Sequence, residues 1–252
     1  MTDSVVADMQ AIDRAFTVLR AVASRPGTST LADVTKAAEL PKSTVLRLLL
    51  ALEAQGAVQT LGGRYAIGPG LAVLSHQTNP ASALKELARP HLAALVEEVQ
   101  ENAALAIADG SSALYVDTAM TDSSVTVQDW TDERLPFHAS AAGLALMSTW
   151  DDSQLVAYAG DGLNAFTDST IVTLEGLRER MAAIRVDGVA WTMHEFSDDV
   201  NGVGAPILDA DGNAIGAINI YGPDYRFPGE RRPTSIVTPL LEACAKITAR
   251  LA

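Results

Sequence analysis

The chain has 252 residues, 48% of them hydrophobic, and a formal net charge of -13. That length holds one large domain or two ordinary ones, and the single cysteine excludes an intramolecular disulfide. The apolar runs break well short of the roughly 18–20 residues that span a bilayer, and the opening MTDSVVADMQAIDR has acids where a secretory leader has bases, so a cytoplasmic protein with no membrane partner is expected. The charge is unevenly placed. Residues 1–75 hold seven basic and six acidic side chains, a net of one positive charge, which leaves a net of 14 negative charges on the remainder. A near-neutral head on an acidic body can bind nucleic acid if its bases cluster on one face.

In chain order, IDRAFTVLRAVAS puts Ile12, Ala15, Phe16, Leu19 and Val22 on one helical face, and Pro26-Gly27 ends that helix. A second helix is expected from Leu31 to Ala38, with Thr30 as its N-cap. The turn Glu39-Leu40-Pro41 leads into a third helix that ends near Gly56; Pro41 suits its first turn, where the missing N–H has no intrahelical partner. AVQT, Gly62-Gly63 and RYAIG then form a hairpin signal. Helix, helix, turn, helix, hairpin is the order of a winged helix-turn-helix, here residues 9–70, followed by a linker helix over 71–82, interrupted near Pro80.

The third helix is the most informative element. Val45, Leu48, Leu49 and Leu52 recur at core spacing. Lys42, Ser43, Thr44 and Arg47 remain near the opposite face, at the end where a recognition helix meets bases and phosphates. Ser43 and Thr44 suit phosphates, Arg47 is long enough to grip a guanine, and Arg64 at the base of the hairpin is placed to hold a phosphate. With Thr30, these six residues are the candidate contacts to a double-stranded operator.

Residues 83–252 form a second unit. LKELARPHLAALVEEVQ is an amphipathic helix; ALAIAD, SALYVDTA and SVTVQDW read as strands; the loop TDERLPFH precedes a small-residue helix, ASAAGLALMST. Two helices (DSQLVAYA and TLEGLRERMAAIR), three strands (GVAWTMHE, GVGAPILD and AIGAINIYG) and a last helix from about Ser235 to Leu251 complete an α+β sensor-like domain.

LPKSTVLRLLLALEAQGAVQ followed by RYAIGPG resembles the DNA-binding domain of the IclR family of bacterial transcriptional regulators. LPFHASAAGLALMS, TDSTIVTLEGLRERMAAIRVDGVAWTMHE and GVGAPILDADGNAIGAINIYGP are similar to later motifs of that family, in the same order, so the resemblance spans roughly residues 9 to 251. It implies a GAF-like effector-binding domain with a central antiparallel sheet, a homodimer or dimer of dimers on a pseudo-palindromic operator, and a small organic acid as effector. On that resemblance Ala141, Ala142, Gly143, Val200, Gly202, Asn219 and Tyr221 face the effector. The first three lie in a helical first turn, whose N–H groups can receive a carboxylate. Asn219 and Tyr221 share one face of a strand. Several family members carry cysteine or serine at Gly202, serines at Asn219 and Tyr221, and lysine at Leu144; these departures imply a larger or more apolar acid.

His138 is expected to order its loop and Glu195 to cap or pair with a cation, while Trp191 and Tyr221 suit either the core or the cavity rim. Asp209-Ala210-Asp211-Gly212 opens like a calcium loop but lacks the later oxygen ligands and terminal glutamate, which leaves a hairpin turn. His76, His91, His138, His194 and Cys244 have no zinc spacing. No metal, cofactor or catalytic residue is expected, and nucleophile-elbow, P-loop and dinucleotide motifs are absent. Two other readings stay open: catalysis by the second domain, and a winged helix that binds protein.

Overall fold

The computed structural model describes residues 2–24, 28–75, 80–160, 162–230 and 233–251, and the counts below refer to these. It divides into two compact units, Met1–Asn79 and Pro80–Ala252.

In the first unit α1 (Thr2–Ala23), α2 (Leu31–Ala38) and α3 (Lys42–Ala54) precede a hairpin of β1 (Val58–Leu61) and β2 (Arg64–Ile67), then α4 (Pro69–Ser75). Thr30 Oγ1 accepts the Asp33 N–H at 3.2 Å and the Asp33 carboxylate accepts the Thr30 N–H at 3.0 Å. This reciprocal cap satisfies two N–H groups that the helix cannot satisfy itself. Glu39, left-handed at φ 51°, ends α2 and turns the chain toward α3. The core joins Val18, Ala21 and Val22 of α1 to Val34 and Ala38 of α2 and to Val45 and Leu49 of α3, with Leu48 and Leu52 half-buried beside them.

Two expectations change here. Ile12 and Phe16, placed on one apolar face of α1 with Leu19 and Val22, are 58% and 56% exposed. The apolar arc of α1 is wider than its partners can cover, and α2 and α3 meet it on the side of Val18. Arg64 pairs with Leu61 across Gly62-Gly63, so it stands at the tip of the hairpin rather than its base. Both glycines have positive φ (57° and 79°), as a tight two-residue turn requires. Pro26-Gly27 and the break before Pro80 lie outside the described residues.

The second unit begins with α5 (Pro80–Val99), β3 (Asn102–Asp109), β4 (Ser112–Ala119) and β5 (Arg134–Pro136). A 3-10 turn (Phe137–Ala139), α6 (Ala141–Met147), α7 (Asp152–Ala159) and α8 (Leu174–Asp187) follow, then β6 (Ala190–Met193), β7 (Val200–Leu208), β8 (Ala214–Pro223) and α9 (Thr234–Leu251). All strand pairs are antiparallel, in the order β5-β4-β3-β8-β7-β6. Side chains alternate across the sheet. Leu105, Val203, Ala205, Ile218 and Ile220 pack beneath α5 and α9, whereas Ala104, Ala106, Ala217 and Tyr221 face α6 and α8.

SVTVQDW, expected as a strand, has no ladder partner. The buried Asn102 side chain holds it instead. Its amide donates to Val127 O at 3.0 Å, and its oxygen accepts from the Thr121 N–H and Thr126 Oγ1. Arg226 Nη1 also donates to Val125 O at 3.0 Å, so side chains supply bonds that a strand neighbour would otherwise give and the segment stays a loop. Part of the expected TDERLPFH loop is strand β5, bonded to β4.

Candidate functional site

Lys42, Ser43 and Arg47 are exposed on the first two turns of α3, and Thr44 is half-buried. Neither Lys42 nor Arg47 is held by another described side chain, so both cations are available to a ligand. Arg64 is exposed at the hairpin tip, with Nη1 3.5 Å from Thr28 O. Thr30 differs: its hydroxyl is spent on the cap, donating to Asp33 Oδ2 at 2.7 Å.

In the second unit a small cavity of about 30 Å³ lies between the start of α6, β7 and β8. Ala141, Val200, Gly202, Asn219 and Tyr221 line it. Ala142 and Gly143, expected beside them, do not. Ala142 is fully buried between α6 and the sheet, and the Gly143 N–H already donates to Ser140 Oγ at 3.2 Å. A side chain at Gly143 would collide with the Phe137 backbone, its Cβ falling 2.5 Å from the Phe137 oxygen. The glycine lets α6 pack closely; its N–H is not available to a carboxylate.

Tyr115, Trp130, Thr192 and Phe196 are further wall residues that were missed in the sequence. They come from four separate segments, and Trp130 sits in the stretch assigned to a strand. Trp130 and Phe196 meet edge to face at 5.7 Å and also line an outer groove of about 520 Å³. The pair therefore forms the wall between inner cavity and solvent. Trp191 lies on the other side of the sheet, 6.1 Å from the Phe227 ring.

No residue lining the inner cavity is charged. Burial, the dominant influence, pushes the phenols of Tyr115 and Tyr221 up from their ordinary value, so both stay protonated donors. The Tyr221 hydroxyl donates to Gln128 O at 3.4 Å. Asn219 is 2% exposed, and its Oδ1 has no hydrogen-bond partner. A buried unpaired carbonyl costs about 1–3 kcal/mol, which a donor on a bound molecule would recover. A larger open cleft, about 600 Å³ beside His138 and Tyr158, has no such atom on its lining. There His138 bonds the Tyr158 hydroxyl at 2.7 Å and Asn164 O at 3.0 Å, which orders the loop. Glu195 pairs with Arg180 at 2.8 Å. Asp209 Oδ1 accepts the N–H groups of Asp211 and Asn213, closing a hairpin turn. Among the described residues no cluster of His, Cys, Asp or Glu could hold a metal, and no helix is long and apolar enough to cross a membrane.

The family model for the IclR helix-turn-helix domain matches residues 11–62. The one described as the bacterial transcriptional regulator IclR C-terminal matches residues 76–249. The chain belongs to the IclR family. It is a DNA-binding transcriptional regulator, and α2 and α3 are its helix-turn-helix. The acetate operon repressor of Salmonella typhimurium is 27% identical over 98% of this chain and 92% of its own length. The transcriptional regulator TtgV of Pseudomonas putida is 31% identical over 76% of this chain and 74% of its own. A crystal structure of an IclR-type regulator from a Silicibacter species aligns at TM-score 0.68 with 26% identity, covering 96% of this chain and 95% of that one. An IclR homologue from Microbacterium hydrocarbonoxydans, solved with 4-hydroxybenzoate, shares the fold at TM-score 0.63 with 23% identity, covering 96% of this chain and 98% of that one.

Proposed function

We propose that this IclR-family regulator binds a pseudo-palindromic operator as a homodimer through α3, and that a small organic acid with an apolar or aromatic body controls it from the cavity of the second unit. Lys42, Ser43 and Arg47 are the operator contacts of α3, and Arg64 reaches a phosphate from the hairpin tip. The observation that carries effector binding is the unpartnered Oδ1 of Asn219, buried among Tyr115, Trp130, Phe196 and Tyr221. With no cation on the lining, neutral donors must hold the carboxylate: the hydroxyl of Tyr115 and the Ala141 N–H. Asn219 Oδ1 then accepts from a hydroxyl or N–H elsewhere on the ligand. A related structure contains 4-hydroxybenzoate, which has both groups. The cavity of about 30 Å³ holds little more than a water, so Trp130 and Phe196 swing outward to admit a ligand.

Thermal unfolding of the full chain against a panel of small hydroxylated and unhydroxylated acids tests this. A true effector at 100 times its Kd stabilises the fold by about 2.7 kcal/mol. Asn219→Leu, nearly isosteric and free of the buried orphan atom, should abolish that shift and leave operator binding intact. An unchanged shift in the variant would place the effector elsewhere.

A further inference from the structure

Two leucines occupy the reading face of α3. Leu46 is 39% exposed and Leu50 57% exposed. At 3.6 residues per turn, Ser43, Leu46, Arg47 and Leu50 recur at i, i+3, i+4 and i+7 and fall within an arc of about 100°. Val45 and Leu49 on the far side are fully buried. The core of the first unit closes without Leu46 and Leu50, so neither serves its packing. Leu46 sits beside the exposed Arg47 and one turn after the exposed Ser43, within the turns that approach base edges in a helix-turn-helix. Most of what a base pair shows in the major groove is hydrogen-bond donors and acceptors; the apolar feature is the 5-methyl group of thymine.

We propose that Leu46 is a specificity-determining residue that packs on the 5-methyl of a thymine in each half-site, next to the base pair that Arg47 reads. Leu50, one turn further along the same line, shields that contact from water. The contact selects thymine over cytosine, because cytosine puts an amino group in the same groove and has no methyl to offer. The inference rests on α3 being the recognition helix, and the experiment separates the two.

Full-length protein selects sites from a random duplex library. Each thymine of the enriched half-site is then replaced in turn by deoxyuridine, which keeps the base pair and its O4 and lacks only the methyl. One thymine per half-site, within a base pair or two of a guanine, should show about fourfold weaker binding as uracil, the value of one methyl group leaving an apolar contact. Leu46→Ala should bind thymine and uracil duplexes equally at that position. Leu46→Met should retain the discrimination, which separates a lost contact from a lost fold. Indifference of the parent to uracil at every position would overturn the proposal, as would discrimination that survives in Leu46→Ala. A fall in the sedimentation mass of Leu46→Ala would also overturn it and assign Leu46 to a contact between copies. A selection that enriches no site would overturn the recognition-helix reading, and this proposal with it.

Discussion

Arg47 and Lys42 lie five residues apart on α3, about 140° apart around the helix, and different contacts are proposed for them. Both are exposed and neither is committed to another described side chain. The planar fork of Arg47 can bond two acceptors of one guanine, so Arg47→Ala should cost about 1–3 kcal/mol of operator affinity and relax sequence preference. Lys42, at the first position of the helix, is placed for phosphate. Lys42→Ala should weaken all duplexes alike and flatten the dependence of log affinity on log salt by about one unit. Filter binding over a salt series measures both; operator affinity unchanged in Arg47→Ala would sink the assignment of the reading face. Glu195 shows a different balance. Arg180 holds its Oε1 at 2.8 Å, but Oε2 is buried without a partner. Burial pushes this carboxyl up and outweighs the pull of Arg180 in the other direction. A carboxyl with a raised folded-state pKa binds its proton more tightly in the native state. Its contribution to stability is therefore complete below the ordinary value of 4.5 and is lost as pH rises through the folded value. Urea melts of the parent and Glu195→Gln at pH 4 and pH 7 should show the difference moving in favour of the glutamine variant at the higher pH. A constant difference would mean that Arg180 fully compensates the burial.

Short elements of this molecule are set by caps as much as by packing. The eight-residue α2 is held at its start by the reciprocal bonds of Thr30 and Asp33, and α7 by those of Asp151 and Gln154. Thr30→Ala should lower stability in urea by about 1 kcal/mol, and Thr30→Ser should restore most of it. If Thr30→Ala melts like the parent, the cap contributes nothing and the hydroxyl is free for DNA after all. The start of α6 works in a similar way: Ser140 Oγ accepts the Gly143 N–H and donates to Pro136 O at 2.9 Å. Ser140 thereby removes from α6 one of the donors that the sequence offered to an effector.

On the scale of the whole chain, the first 75 residues are nearly neutral and the remainder carries a net of 14 negative charges. DNA is repelled by the second part, so its approach is confined to the helix-turn-helix. One recognition helix covers only a few base pairs, and twofold repetition is the usual way to gain affinity and specificity. Footprinting should show two protected half-sites about 34 Å or a multiple of it apart, centre to centre. Sedimentation of the same complex should give two chains per duplex, and protection of one isolated half-site by a single chain would rule the dimer out.

The sequence by itself determined the order of elements in the first unit, the limits of α2 and the buried side of α3, because helical period, caps and turn residues act within a few positions of one another. Val45 and Leu49 are buried and Arg47 exposed as the 3.6-residue repeat demands. The family motifs, also local, placed Asn219 and Tyr221 on one face of β8, where both line the cavity. Only the tertiary structure decided which part of α1's apolar arc is covered, that SVTVQDW is a loop bonded to Asn102, and that Tyr115, Trp130, Thr192 and Phe196 share one cavity. Those outcomes depend on which distant segments come together. An N–H that is free by its helical position, as at Gly143, is bound or unbound according to the rotamer of Ser140, and that is a matter of packing rather than of period.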